Sequence, residues 1–216
     1  MKRTLILVCV VALCSAALVA QNGMRMVRTQ EQSQVRVPAA EPDVTLKVIW
    51  SNTGVKTHAY NDTVGWAVTG PASSGGKTQF VALPFKPKAA STAYQLQAAV
   101  EYGGSGANQV NLSLYSDNNG APGTLLGGPV TVTGLANTGT CCTFATANLS
   151  STVSLTAGTQ YWIVADTPAS GTGSDFVGIW DFVPTAPLNS FNNGSGWVSF
   201  TGYEQEPTGR VFGTIP

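Results

Sequence analysis

The sequence predicts an all-β protein, an antiparallel β-sandwich of jelly-roll-like topology, and three observations carry that expectation. Apolar and polar residues alternate with a period of two over several short stretches, as in strands with one buried face. Gly-, Asn- and Ser-rich turns interrupt the pattern about every eight to twelve residues. Charged residues make up only 10% of the chain, well below the roughly 25% of an average domain. That composition suits a sandwich whose outward faces are polar but uncharged. No stretch sustains an apolar stripe at helical spacing, and no internal repeat is visible.

Taken in order, residues 1–20 read as a signal peptide. Met1-Lys2-Arg3 supplies a positive start, and Leu5 to Ala20 is an apolar run ending in small residues. The run is shorter than the roughly 20 residues a bilayer-spanning helix needs, so no membrane span is expected after cleavage. Acylation at Cys9 or Cys14 fits less well, because Leu13 stands where a small residue is expected before Cys14. Residues 21–43 are polar and rich in Gln, Pro and charge, and read as a disordered tether. The β-sandwich domain is expected over 44–216.

Within it, Tyr94, Leu96, Ala98, Val100 and Tyr102 alternate with Gln95, Gln97, Ala99 and Glu101, which predicts a half-buried strand. Val110, Leu112 and Leu114 alternate likewise with Asn111, Ser113 and Tyr115. The segment Ser116–Gly123 follows, and its Asn119-Gly120 step supplies the positive φ angles of a tight hairpin turn. Further strands are expected at Val44–Trp50, Val64–Val68, Gln79–Phe85, Val130–Thr133, Cys142–Ala145, Val153–Leu155, Gln160–Ala165, Phe176–Phe182, Gly196–Phe200 and Arg210–Gly213.

Charge bounds the partners. Without Lys2 and Arg3 the chain keeps nine Lys and Arg against eleven Asp and Glu, a formal charge of −2. No basic patch suits nucleic acid, since Arg25, Arg28 and Arg36 lie in the tether and the rest are scattered. Of four cysteines, two fall in the leader, leaving only Cys141-Cys142. A disulfide framework is therefore excluded, and the sheet core must supply stability. Joined to each other, the two cysteines form a strained, reducible ring. Joined to another chain, they make a covalent dimer. The adjacent bond is the expected form, with a structural role.

Three segments together carry a family resemblance: Val81–Pro87 (VALPFKP), Val110–Leu126 (VNLSLYSDNNGAPGTLL) and Val153–Trp162 (VSLTAGTQYW). This arrangement resembles the bacterial choice-of-anchor R type domain, over about residues 60–215. The resemblance implies a secreted or surface β-domain without assigned catalysis, often followed by a sorting signal. The chain ends Gly213-Thr214-Ile215-Pro216 without a hydrophobic tail or basic cluster, so free secretion is the expectation over attachment.

Catalytic motifs are sparse. The mature chain's one histidine, His58, lacks a nucleophile-elbow sequence to serve. A glycosidase needs two carboxylates, for which Asp166, Asp175, Asp181, Glu204 and Glu206 are available. Asp117-Asn118-Asn119-Gly120 resembles the start of a calcium loop but lacks the acid that should follow, and turn chemistry accounts for it. No Cys/His cluster suits zinc, and no cofactor is expected. Five tryptophans remain, and Trp66, Trp180 and Trp197, near Gly-rich or polar turns, are the candidate ligand-binding rings. The function expected is noncatalytic, through an extracellular protein or matrix contact. A carbohydrate-binding module is the alternative, and a glycoside-acting enzyme comes third. The leader makes a checkable statement: N-terminal sequencing of secreted material should begin between Ser15 and Gln21, not at Met1.

Overall fold

Period-two alternation becomes fourteen strands in the computed structural model, which describes residues 44–54, 59–183, 189–200 and 205–216. The expected signal peptide and tether, together with His58 and Glu204, lie outside the described residues. The strands are β1 (Lys47–Ser51), β2 (Asn61–Thr69), β3 (Phe80–Phe85), β4 (Ser91–Ala98), β5 (Val100–Ser105), β6 (Gln109–Asp117) and β7 (Pro122–Thr133). They continue with β8 (Ala145–Leu155), β9 (Tyr161–Asp166), β10 (Val177–Val183), β11 (Asn189–Asn192), β12 (Trp197–Phe200), β13 (Glu206–Pro207) and β14 (Gly209–Thr214).

One layer is a six-stranded sheet ordered β12-β11-β3-β9-β6-β7. Facing it are two smaller sheets, β1-β14-β4-β8 and β13-β10-β2, with β5 also paired to β10. All of these strand pairs are antiparallel. Among the described residues no sheet closes on itself, and the all-β sandwich expected from the sequence is what forms. The chain passes repeatedly between layers, from β3 to β4, β5 to β6, β7 to β8, β8 to β9 and β9 to β10.

The core is the apolar half of that alternation. Val81, Leu83 and Phe85 of β3, Val110, Leu112 and Leu114 of β6, and Ile163 and Ala165 of β9 meet Leu96, Ala147, Trp180 and Val211 of the opposing layer. Trp162 and Trp180 are wholly buried. Each removes roughly 150–250 Å² from water, about 4–6 kcal/mol of transfer free energy at ~25 cal/mol per Å².

The two smaller sheets part at one point. There Ala99 N–H donates to the Thr208 carbonyl (3.0 Å), Thr208 N–H to the Asp181 carbonyl (2.9 Å), and Asp181 N–H to the Ala99 carbonyl (2.9 Å). This ring of three backbone hydrogen bonds joins the bend between β4 and β5, the bend between β13 and β14, and strand β10. Three chain segments that no single ladder could pair are thereby satisfied.

Several expectations shift. Ala93, not Tyr94, takes the core position, because β4 carries one residue more than β14 between Ala93 and Gln95. Residues 142–144 form a turn and loop rather than a strand, and β8 starts at Ala145. Strand β7 begins at Pro122, well before Val130, and passes through Gly127-Gly128-Pro129. An edge strand tolerates that sequence, since only one side of it is paired. Strands β11 and β13 were not expected. Both are short, and they exist through pairing with β3 and β10.

The β6–β7 hairpin closes on Asn119 and Gly120, with φ of 53° and 84°. Asn118 N–H donates to the Ala121 carbonyl (2.8 Å), and Ala121 N–H to the Asn118 carbonyl (3.3 Å). This is the two-residue turn with both central residues left-handed. The Asp117 carboxylate accepts Gly120 N–H (3.1 Å), Gln160 Nε2 (2.6 Å) and Trp162 Nε1 (2.8 Å). Gly120→Val should therefore lower stability by about 1–3 kcal/mol through backbone strain. Wild-type melting should not change with chelator; a chelator-dependent melting temperature would assign the turn to calcium.

Candidate functional site

Strand alternation gives the six-stranded sheet an outward face as well as a core face, and the register aligns one row across it. Trp197 of β12 pairs with Asn192 of β11, and Asn192 pairs with Phe80 of β3. Phe80 precedes Val81, whose partner is Ala165, so it stands level with Asp166 of β9. Asp166 pairs with Asn111 of β6, and Asn111 with Thr131 of β7. Six residues from six strands thus share one transverse register row, and Ser199 of β12 donates its hydroxyl to the Gly120 carbonyl of the β6–β7 turn, so the sheet curls and does not lie flat.

The polar end of the row is organised. Thr131 Oγ1 donates to Asn111 Oδ1 (2.8 Å), and Asn111 Nδ2 donates to Asp166 Oδ1 (3.1 Å). Burial pushes the Asp166 carboxyl up to about 6, against the Asn111 hydrogen bond, which favours the charged form. At the other end, Asn192 Oδ1 accepts Gly194 N–H (2.9 Å) and Gly196 N–H (3.2 Å), which shapes the β11–β12 hairpin. Beside the row lies a small apolar cluster of Ala82, Trp162 and Val164, all sealed from solvent, with Tyr115 and Trp197 half-buried against it.

The three candidate tryptophans separate. Trp66 and Trp180 are direct cross-strand partners on β2 and β10. Trp66 packs on Phe191 with centroids 4.5 Å apart and donates Nε1 to the Gln205 carbonyl (3.0 Å). Trp180 is wholly buried and donates Nε1 to the Thr208 carbonyl (2.8 Å). The expectation of an accessible Trp180 is therefore corrected. It lies within β10 with its side chain on the core side, a position that nearby glycines do not alter. Trp197 is half-exposed and belongs to the outward row. Trp50, the remaining ring outside the sealed pair, packs on Phe85 at 5.4 Å.

Cys141 and Cys142 are joined to each other by a disulfide within one chain. They sit on the crossover between β7 and β8, Cys141 exposed and Cys142 half-buried. Glu101 of β5 anchors this loop, its carboxylate accepting Gly139 N–H (2.7 Å) and Thr140 N–H (3.2 Å). Tyr60 adds a hydrogen bond from its hydroxyl to the Thr143 carbonyl (2.7 Å). Under the same crossover lies a cavity of about 380 Å³, lined by Val100, Val132, Leu135, Phe144 and Ala145 among others.

Sequence reasoning missed Glu101, which alternation assigns to the solvent side of its strand. That side is covered here by a loop some forty residues further along the chain, a tertiary fact with no local signal. Asp181 lies near it, wholly buried, with neither carboxylate oxygen hydrogen-bonded. Burial first, and then the charges of Glu101 and Asp62, push its carboxyl up to about 8. The other late acids are dispersed. Asp175 accepts Ala107 N–H (3.1 Å), and Glu206 is buried opposite Val183. Among the described residues, no group of three or more His, Cys, Asp or Glu is arranged to hold a metal ion, and no helix is long and apolar enough to cross a membrane.

A scan against models of known protein families found no match, and a search of curated proteins found none either. The cysteine pair yields a direct check. Non-reducing electrophoresis should show a monomer, and mass spectrometry should find it about two mass units lighter than the dithiol. A covalent dimer, or two alkylatable thiols, would contradict the intrachain bond.

Proposed function

We propose that this chain is a noncatalytic secreted or cell-surface β-sandwich that acts through extracellular protein or matrix contacts, using the outward face of the six-stranded sheet. The observation that carries this reading is the transverse row Trp197–Asn192–Phe80–Asp166–Asn111–Thr131. It combines an aromatic end with hydrogen-bonding groups on rigid strands, the mixture found where binding surfaces recognise partners. The resemblance to choice-of-anchor R type domains agrees with this reading, as does the signal-peptide-like leader.

The distribution of the acids argues against a glycosidase. Asp166 lies on the outward face of one layer, and Asp181 belongs to the other. Glu101 and Asp181, on the paired strands β5 and β10, are sealed from solvent, whereas glycoside cleavage needs two carboxylates flanking an accessible bond.

Carbohydrate binding is the second reading, and the same row favours it. The row carries Asp166 and Thr131, joined through the buried Asn111, at one end and the Trp197 indole beside Asn192 at the other, and such a combination suits sugar hydroxyls and an apolar pyranose face. The coplanar row of exposed tryptophans that would have favoured it more strongly is not present among the described residues.

Wild-type protein and Trp197→Ala should be compared in affinity capture from native culture supernatant and on a glycan array. Trp197→Ala should weaken the captured interaction by about tenfold or more, as truncation of an interface anchor does, measured at a temperature where both proteins are folded. Equal capture by both proteins would move the contact surface elsewhere. Signal on the glycan array that disappears with Trp197→Ala would select the carbohydrate reading.

A further inference from the structure

The row on the outward face leaves unused the most unusual polar feature of the fold, the buried acids beneath the disulfide-bearing loop. Glu101 and Asp181 are both wholly removed from solvent. They sit on paired strands, since Glu101 of β5 is the cross-strand partner of Ile179, two residues from Asp181 on β10. Glu101 grips the loop through two backbone N–H groups, while Asp181 has no hydrogen-bond partner on either oxygen. Two buried like charges with no counter-charge are untenable in a low-dielectric site.

Among the described residues the surroundings offer no other relief. Asp62 of β2 adds a further negative charge. Tyr60 is neutral, its hydroxyl pushed up to about 12 chiefly by burial. Arg210 of β14 lies over the Phe144 ring at 4.1 Å, with its Nε unpartnered. Glu206 of β13 stands further along, opposite Val183. The loop from Gly139 to Phe144 contributes no Asp, Glu, His, Lys, Arg or Tyr. Among the described residues there is no third ligating side chain arranged to complete a metal site.

We propose that Glu101 and Asp181 share one proton, and that this proton latches the Cys141–Cys142 loop over the sheet, so that its loss loosens the loop. With Asp181 neutral, Glu101 carries the charge of this pair, and the Gly139 and Thr140 N–H groups stabilise it. When Asp181 ionises, repulsion between the two carboxylates is relieved by lifting the loop and admitting water.

The direction of the pH effect follows. The closed state holds a proton up to about pH 8, while a hydrated aspartate releases it near 3.9. The closed form thus binds more protons than the open one between these limits. The closed-to-open ratio falls as pH rises, by about tenfold per unit. Loosening also bears on the cavity, because Thr143 and Phe144 of the loop form part of its wall.

Amide hydrogen exchange at Gly139 and Thr140, corrected for intrinsic rates, reads the latch across roughly pH 5 to 8. Protection in the wild type should fall by about tenfold per pH unit, and in Asp181→Asn it should be independent of pH. Constant protection in the wild type, or an undiminished slope in Asp181→Asn, would overturn the proposal. Should Asp181→Asn fail to fold, ¹³C titration of the wild-type Asp181 carboxyl decides. A midpoint above about 7 that coincides with movement of the Gly139 and Thr140 amide resonances sustains the latch, and a midpoint near 4 ends it.

Discussion

The ring of backbone hydrogen bonds among Ala99, Asp181 and Thr208 is the constraint on which the rest of this sandwich depends. A single flat ladder cannot pair β10 with β2, β5 and β13 while β4 and β14 pair with each other. At the junction, each of three peptide groups donates to one neighbour and accepts from the other. The layer can divide there without orphaned backbone groups, which would each cost on the order of 1–3 kcal/mol if buried. Trp180 reinforces the point from the core side by donating to the Thr208 carbonyl. The buried Asp181 is a consequence of the same geometry, because its backbone is required at the junction and its side chain follows strand alternation away from Trp180.

Much of the architecture was legible in the residues. The alternation in Val110–Tyr115 and the apolar run of Gln160–Ala165 correspond to adjacent strands β6 and β9, and Asn119-Gly120 is the turn its chemistry implies. These features are local, set by side-chain period and backbone conformation. What escaped the sequence depends on partners distant in the chain. Ala93 replaces Tyr94 in the core because a bulge on β4 is settled by its neighbours β14 and β8. Trp180 is a core residue although Gly178 and Asp181 stand near it in β10.

The candidate site shows the same division. Trp197 could be singled out as a half-polar hairpin residue, but its alignment with Asp166 and Asn111 is a matter of register across six strands. No one segment encodes that register. Glu101 is the clearest case: an ordinary strand glutamate by pattern becomes a buried anchor because the crossover bearing Cys141-Cys142 folds onto it. Residues contributed by crossovers are invisible to period analysis, and here Asp181, the carboxyl pushed furthest up among the described residues, neighbours the glutamate that holds one.

The course of β7 has a bearing on solubility. It is a twelve-residue edge strand with Leu125 and Leu126 exposed, the kind of border onto which a second chain adds by main-chain pairing. Pro122 and Pro129 have no N–H to contribute, and the Gly127-Gly128 step interrupts the ladder between them. The opposite border, β12, is only four residues long. Neither border of the six-stranded sheet therefore offers a second chain a long, regular template to pair with.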